Sequence, residues 1–271
     1  MSSPSVLTDR AILAVSGAES QNFLQGLITN DVGRLASGTA LYSALLAPQG
    51  KILFDFLLYS DRGGMLLDCA AEAAETLQKR LSLYRLRAKV DIVRRDDLAV
   101  LARWDGENGS TGWWPDPRLP ALGWRTVVER ADVFAAASPA SAYLDHRLAL
   151  GVPEGPDFGQ DRMFALDADL EELNGVSFDK GCYVGQELTA RMKHRGTARK
   201  KLLPVESSAP SLPEAGTPIT AAGSEIGAIT SVYDGRGFAL VRTDRLEGAG
   251  SAALDAGGVP VRVLKPQWLF S

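Results

Sequence analysis

Cysteine and histidine are scarce: the 271 residues hold two of each, Cys69, Cys182, His146 and His194. None recurs at metal-ligand spacing, so a zinc site or a cluster bound by this chain alone is not expected, and no metal ligand is assigned. Aromatic residues are also few, at 7%. No apolar run approaches the roughly 20 residues of a membrane-spanning helix, which argues against a helical membrane protein and a membrane partner. Met1 to Arg10 lack the apolar core of a secretory signal, so a cytoplasmic location is the expectation. Positive charge is not in excess: 29 Lys and Arg face 33 Asp and Glu, a formal net charge of −4. That field argues against wholesale nucleic-acid binding but leaves room for a local basic site.

What is present suits an ordinary globular protein. With 45% hydrophobic residues the chain can bury a sizeable core in two or three compact units. Ser16-Gly-Ala-Glu19 reads as a capping box before a helix striped by Phe23, Leu24, Leu27 and Ile28. Ala40 to Leu46 and Lys51 to Ser60 read as strands joined by a Pro48-Gln49-Gly50 turn. A third strand is expected over Met65 to Cys69, a helix from Ala71 to about Tyr84, and a strand from Leu86 to Val93. This order suggests an α+β layer with an antiparallel sheet.

Trp104 to Trp124 is rich in Gly, Pro and Trp and reads as an irregular link. Its tryptophans either stack on a ligand or pack beneath the loop. A strand over Thr126 to Phe134 and a helix from Ser138-Pro139 to Gly151 follow. Asp167, Asp169, Glu171 and Glu172 read as a solvated helix start. Pro204 to Gly216 is Pro- and Ser-rich, marking a boundary. Beyond it short β-branched runs alternate with turns at Ala222-Gly223, Asp234-Gly235 and Gly257-Gly258, the pattern of a small β-barrel or sandwich. The expected division is 1–95, an α+β unit; 96–203, a second α+β unit; and 204–271, the barrel.

The stretch that gathers the chemistry is Lys180-Gly-Cys182-Tyr-Val-Gly-Gln-Glu187. Val184, Leu188 and Met192 recur at helical spacing, Glu187 and Arg191 sit four apart as a pair, and Gly196 is a stop signal. Gly181 permits a tight bend, which would place Cys182 near a helix N-terminus. Arg191, Lys193, Arg195, Arg199, Lys200 and Lys201 follow without an acid between them. A thiol in that field is reactive at neutral pH; the alternative is a buried cysteine acting as a small hydrophobe.

These residues resemble the signature of the YgfZ-type folate-binding proteins, relatives of the glycine cleavage T-protein (aminomethyltransferase), a group that includes a mitochondrial iron–sulfur assembly factor with the same motif. Phe23 to Val32, Gly50 to Asp55, Tyr84 to Val90, Arg147 to Pro153 and Gly227 to Ser231 resemble further segments of that family. The resemblance implies a T-protein-like arrangement of three domains around a central hole binding tetrahydrofolate or a one-carbon derivative. It implies Cys182, Lys180 and Asp55 as catalytic residues. It also implies folate contacts from Asn30, Asp55, Arg85, Arg87, Arg147, Tyr183, Gln186, Glu187 and Arg191. The T-protein hairpin typically offers two adjacent acids where this chain has Phe54 and Asp55, which leaves aminomethyl transfer with an incomplete pair.

The function so implied is a folate-binding accessory protein in iron–sulfur cluster assembly or repair. Its partners would be iron–sulfur enzymes or assembly proteins, with tRNA involved indirectly through tRNA-modifying clients. A folate-dependent aminomethyltransferase or demethylase using Asp55 as base is one alternative. An RNA-binding protein using residues 191–201 is another.

Overall fold

The computed structural model describes residues 3–36, 38–105, 112–133, 137–196, 199–208 and 210–270. In chain order come β1 (Ser5–Val6), β2 (Arg10–Ser16), α1 (Ser20–Gln25), β3 (Ala40–Leu46), β4 (Ile52–Asp61), β5 (Gly64–Ala70), α2 (Ala74–Arg85) and β6 (Asp91–Arg94). Next are β7 (Leu98–Arg103), β8 (Trp114–Pro115), β9 (Trp124–Glu129), α3 (Ala140–Leu150) and α4 (Gln186–Arg195). The last third holds β10 (Lys200–Ser207), β11 (Pro218–Ala221), β12 (Ser224–Tyr233), β13 (Arg236–Arg242), α5 (Thr243–Ala249), β14 (Leu254–Ala256), β15 (Val259–Val263) and α6 (Gln267–Phe270).

A five-stranded antiparallel sheet, ordered β3-β4-β5-β2-β6, carries the first half. The hairpin at Pro48-Gln49-Gly50 forms as expected, with Gly50 at φ +77° where other residues are strained. Both sheet faces are covered. Along β4, Phe54, Phe56 and Leu58 join α1 and α2 in one core, while Leu57 and Tyr59 join a second core with the sheet β1-β7-β9-β8 and α3. Adjacent strand residues point to opposite faces. Phe54 therefore lies in the helix-side core, and only Asp55 faces the inter-sheet junction.

The barrel is closed, ordered β10-β13-β12-β11-β14-β15 with β15 returning to β10. Two of its predicted turns, Ala222-Gly223 and Gly257-Gly258, place both central residues at positive φ, the geometry that matches strand twist in a tight hairpin. The Pro- and Ser-rich stretch from Pro204 begins inside β10, which starts at Lys200. A pin joins barrel and body: Trp268 Nε1 donates to the Leu150 carbonyl at 2.9 Å, and Gly151 packs where a Cβ would stand 2.5 Å from Pro204.

Several local expectations change. Ser16 ends β2 instead of capping a helix, and Glu19 accepts the Lys89 backbone N–H instead of closing a capping box. The strand expected from Leu86 begins at Asp91, because Leu86 has φ +47° at the end of α2. β9 ends at Glu129, and Phe134 lies outside the described residues. The tryptophans pack beneath their link: Arg103 stacks on Trp113 at 4.5 Å, and Trp114 meets Tyr59 at 4.7 Å. The acidic patch is not a solvated helix start: Asp167 and Asp169 are buried, Lys201 pairs with Asp169 and Glu172, and Lys193 pairs with Glu171.

Candidate functional site

The Lys180–Glu187 segment sits on the tip of the β3–β4 hairpin. Residues 163–177 lead to it across the sheet edge. Ile52 donates to the Met163 carbonyl, Ser177 donates to that of Thr29, and Thr29 Oγ1 donates to that of Gly175. Gly185 makes the close approach. It has φ +82°, and a Cβ there would lie 2.5 Å from the Ala47 carbonyl oxygen. Gly181, by contrast, has open space around it, so the glycine that shapes this loop is Gly185. α4 begins only at Gln186, so Cys182 stands on the loop ahead of the helix instead of in its first turn, and its side chain is exposed.

Lys180 anchors the loop from below. Its ammonium donates to the carbonyls of Gln25, Ile28 and Asn30 at 2.8, 2.6 and 2.8 Å. Its three donors are thus matched by three acceptors. Burial lowers its pKa to about 8, against the pull of Asp31. The expected catalytic ammonium is thus engaged by the body. Lys193 and Lys201 are paired with acids, while Arg191, Arg195, Arg199 and Lys200 line a cleft beside the barrel. Cys182 itself is exposed, on a loop braced by Lys180 and Gly185.

The expected folate contacts do not converge. Asn30 is buried and saturated: its Nδ2 donates to the carbonyls of Tyr42 and Asn174, and its Oδ1 accepts from Asp31 N. Arg147 is buried, donating to Asp157 and the Val152 carbonyl at 2.7 Å each. Arg85 and Arg87 are exposed at the C-terminal end of α2, about 16 Å along the helix from its start. Gln186 Oε1 accepts from Tyr183 N, and Tyr183 leans on the inter-sheet core. Glu187 is exposed and forms no ion pair with Arg191, which turns into the cleft.

Asp55 alone opens on a fitting cavity, one of about 490 Å³ beside Phe158, Gly155, Ala73 and Thr76. Burial raises the Asp55 pKa, against Arg10, and its Oδ2 accepts from Tyr42 O–H at 3.1 Å. The described lining includes the acid Glu72 and no Lys or Arg, so the anionic glutamate tail of a folate has no counter-charge there. Of the expected contacts only Asp55 borders this cavity, and no step is routed through a folate.

Sequence reasoning missed a buried network of charges. At the inter-sheet junction Arg118 donates to both oxygens of Asp116 and, at 2.6 Å, to Glu154. Arg125 reaches Asp68, Asp116 and Glu154, and Arg10 donates to Asp68 at 2.5 Å. Tyr143 O–H accepts from both Arg118 and Arg125. Three cations face three acids, all buried. Burial opposes ionisation of Asp116 and Glu154, but Arg118 holds both carboxyls below their usual range. The only local hint is Asp116-Pro-Arg118 in a Pro-rich link. Among the described residues, no three His, Cys, Asp or Glu side chains gather as a metal site.

Comparisons with known proteins agree with this architecture. Residues 199–271 match the family model "CAF17, C-terminal beta-barrel domain". The human mitochondrial iron–sulfur cluster assembly factor IBA57 is 34% identical, over 89% of this chain and 78% of its own. A Neurospora crassa homologue of that factor, also named mitochondrial, is 34% identical over 78% of this chain, which spans 56% of the relative's length. The crystal structure of the glycine cleavage system aminomethyltransferase T from Bartonella henselae superposes with a TM-score of 0.75, covering 98% of this chain and 86% of that one at 16% identity. The cytoplasmic expectation is overturned by the mitochondrial names of these relatives. On the extent of its likeness to the human factor, the chain belongs to the family of the iron–sulfur cluster assembly factor IBA57, built on the aminomethyltransferase T fold.

Proposed function

We propose that this chain is an accessory factor in iron–sulfur cluster assembly or repair, acting through Cys182 on a protein partner or on the cluster it carries as substrate. The observation that carries this reading is an exposed thiol on a loop fixed from two sides, by Lys180 on three carbonyls and by Gly185 against Ala47. A lone thiol offers one ligand position, so a cluster meeting it is shared with ligands from the partner. Clients would be iron–sulfur enzymes, tRNA-modifying ones included.

Tetrahydrofolate retains one point of support, the cavity at Asp55, where a carboxyl with a raised pKa faces an apolar wall. Titration with 5-formyltetrahydrofolate tests it directly, and loss of any binding signal in Asp55→Ala would assign the cavity. Aminomethyl transfer has less support, since Phe54 faces away from Asp55.

The deciding experiment is a deletion strain assayed for iron–sulfur enzyme activities and rescued with wild type, Cys182→Ala or Cys182→Ser. Rescue by wild type alone is expected. Full rescue by Cys182→Ala removes the thiol from the mechanism.

A further inference from the structure

Six cations lie between Arg191 and Lys201, and the structure divides them. Lys193 and Lys201 pair with acids of the 169–172 segment. Among the described residues Arg191, Arg195, Arg199 and Lys200 form no ion pair within 4.0 Å, and all four line one cleft of about 720 Å³ between α4 and the barrel. The floor is apolar, made by Leu188, Met192 and Phe164. Leu188, Arg191, Met192 and Arg195 recur three, four and seven residues apart, so cations and hydrophobes share one face of α4. On the barrel wall Arg242, itself paired with Asp244, completes the cleft. Lys200 and Arg242 also line a neighbouring cavity of about 330 Å³, to which Arg162 and Arg245 add charge. Asp167 lines the cleft beside Lys200 and Glu225 lines the cavity, so the two adjoining spaces form a groove in which cations outnumber acids.

We propose that this groove binds an acidic, amphipathic segment of a partner protein. This inference rests on the assembly reading, because α4 starts four residues after Cys182 and a segment seated along it brings its parent protein to the thiol. Interleaved cations and hydrophobes match a chain carrying both carboxylates and apolar side chains. Nucleic acid fits less well. The one aromatic residue on the larger cleft, Phe164, is partly buried and offers no stacking platform. A phosphate backbone running beyond the groove would also meet a chain of net charge −4.

The test is fluorescence anisotropy on the full chain. The probes are a short labelled peptide of Glu and Leu in amphipathic order, its Lys and Leu counterpart, and single-stranded RNA of matched length. Saturable binding of the acidic peptide is expected, with none for the basic one. Arg191→Gln with Arg195→Gln should weaken it about tenfold, two exposed charge contacts being lost. Lys193→Gln, on the same helix but outside the groove, should change affinity less than about twofold. Circular dichroism verifies that each variant is folded. No peptide binding, equal weakening by Lys193→Gln, or tighter RNA binding through the same arginines overturns the proposal. Peptide binding lost while Cys182-dependent rescue persists sinks the groove alone; rescue by Cys182→Ala with peptide binding intact sinks the thiol reading alone.

Discussion

The ammonium of Lys180 donates to the carbonyl of Ile28 at 2.6 Å across 152 residues of sequence. With the bonds to Gln25 and Asn30, it ties the Cys182 loop to the segment after α1. Lys180→Met keeps the aliphatic stem and removes the donors, leaving three carbonyls to find other partners. At a half-buried site this should cost about 2 kcal/mol in urea denaturation. It should also change the rate at which Cys182 reacts with a thiol reagent. An unchanged rate together with unchanged stability would show that the loop is held by Gly185 alone.

The two cysteines should separate cleanly under a colorimetric disulfide reagent. Cys182 is exposed, whereas Cys69 is buried beneath α2 with its pKa pushed up to about 12 by burial, against Arg10. One thiol per chain should react in the native protein and the second only on unfolding. Cys182→Ala should abolish the native signal.

Arg118→Met should be among the most damaging single changes. It leaves Asp116 and Glu154 buried beside fewer cations, at a cost of about 3–5 kcal/mol. The same carboxyls shape the acid limb. Their folded pKa values lie below their unfolded ones, so the stability they contribute is present above the unfolded value and falls away as pH drops through the folded one. Chemical denaturation across pH 5 to 2 should show wild type losing stability steeply, and Arg118→Met, already deprived of the pairing, losing less.

Asp167 behaves in the opposite sense. Burial raises its pKa to about 6, opposed by Lys200 and Lys201, and it lines the basic cleft. Its folded value exceeds its unfolded one, so its contribution is present at low pH and is lost as pH rises from about 4 through about 6. Asp167→Asn should match wild type near pH 3 and exceed it above pH 6, by at most about 3 kcal/mol. A constant gap across that range would show that the carboxyl does not titrate as described.

Legibility in the sequence followed the range of the interactions. The hairpin at Gly50, the stop at Gly151 and the barrel turns are local backbone events, and each was readable from a few residues. The Cys182 motif was readable as a unit, but which glycine bends it was not: Gly185, at positive φ, packs against Ala47, while Gly181 meets open space, and both facts depend on the distant hairpin tip. Lys180 read as a catalytic cation because its acceptors lie on a distant loop. Arg118 and Arg125 looked like any surface arginines, since their acids come from β5, the Pro-rich link and the turn after α3. Asp55 and Phe54 read as one site until strand alternation put the Phe54 ring in the helix-side core, although both residues border the same cavity.

The bond from Trp268 to Leu150, with Gly151 wedged beside Pro204, has a mechanical corollary. A barrel so pinned to the body would turn with it as one block, and the distance across the arginine groove would be set before anything arrives. A visitor then surrenders only its own conformational freedom, and complex formation should follow simple one-step kinetics without a slow closing phase.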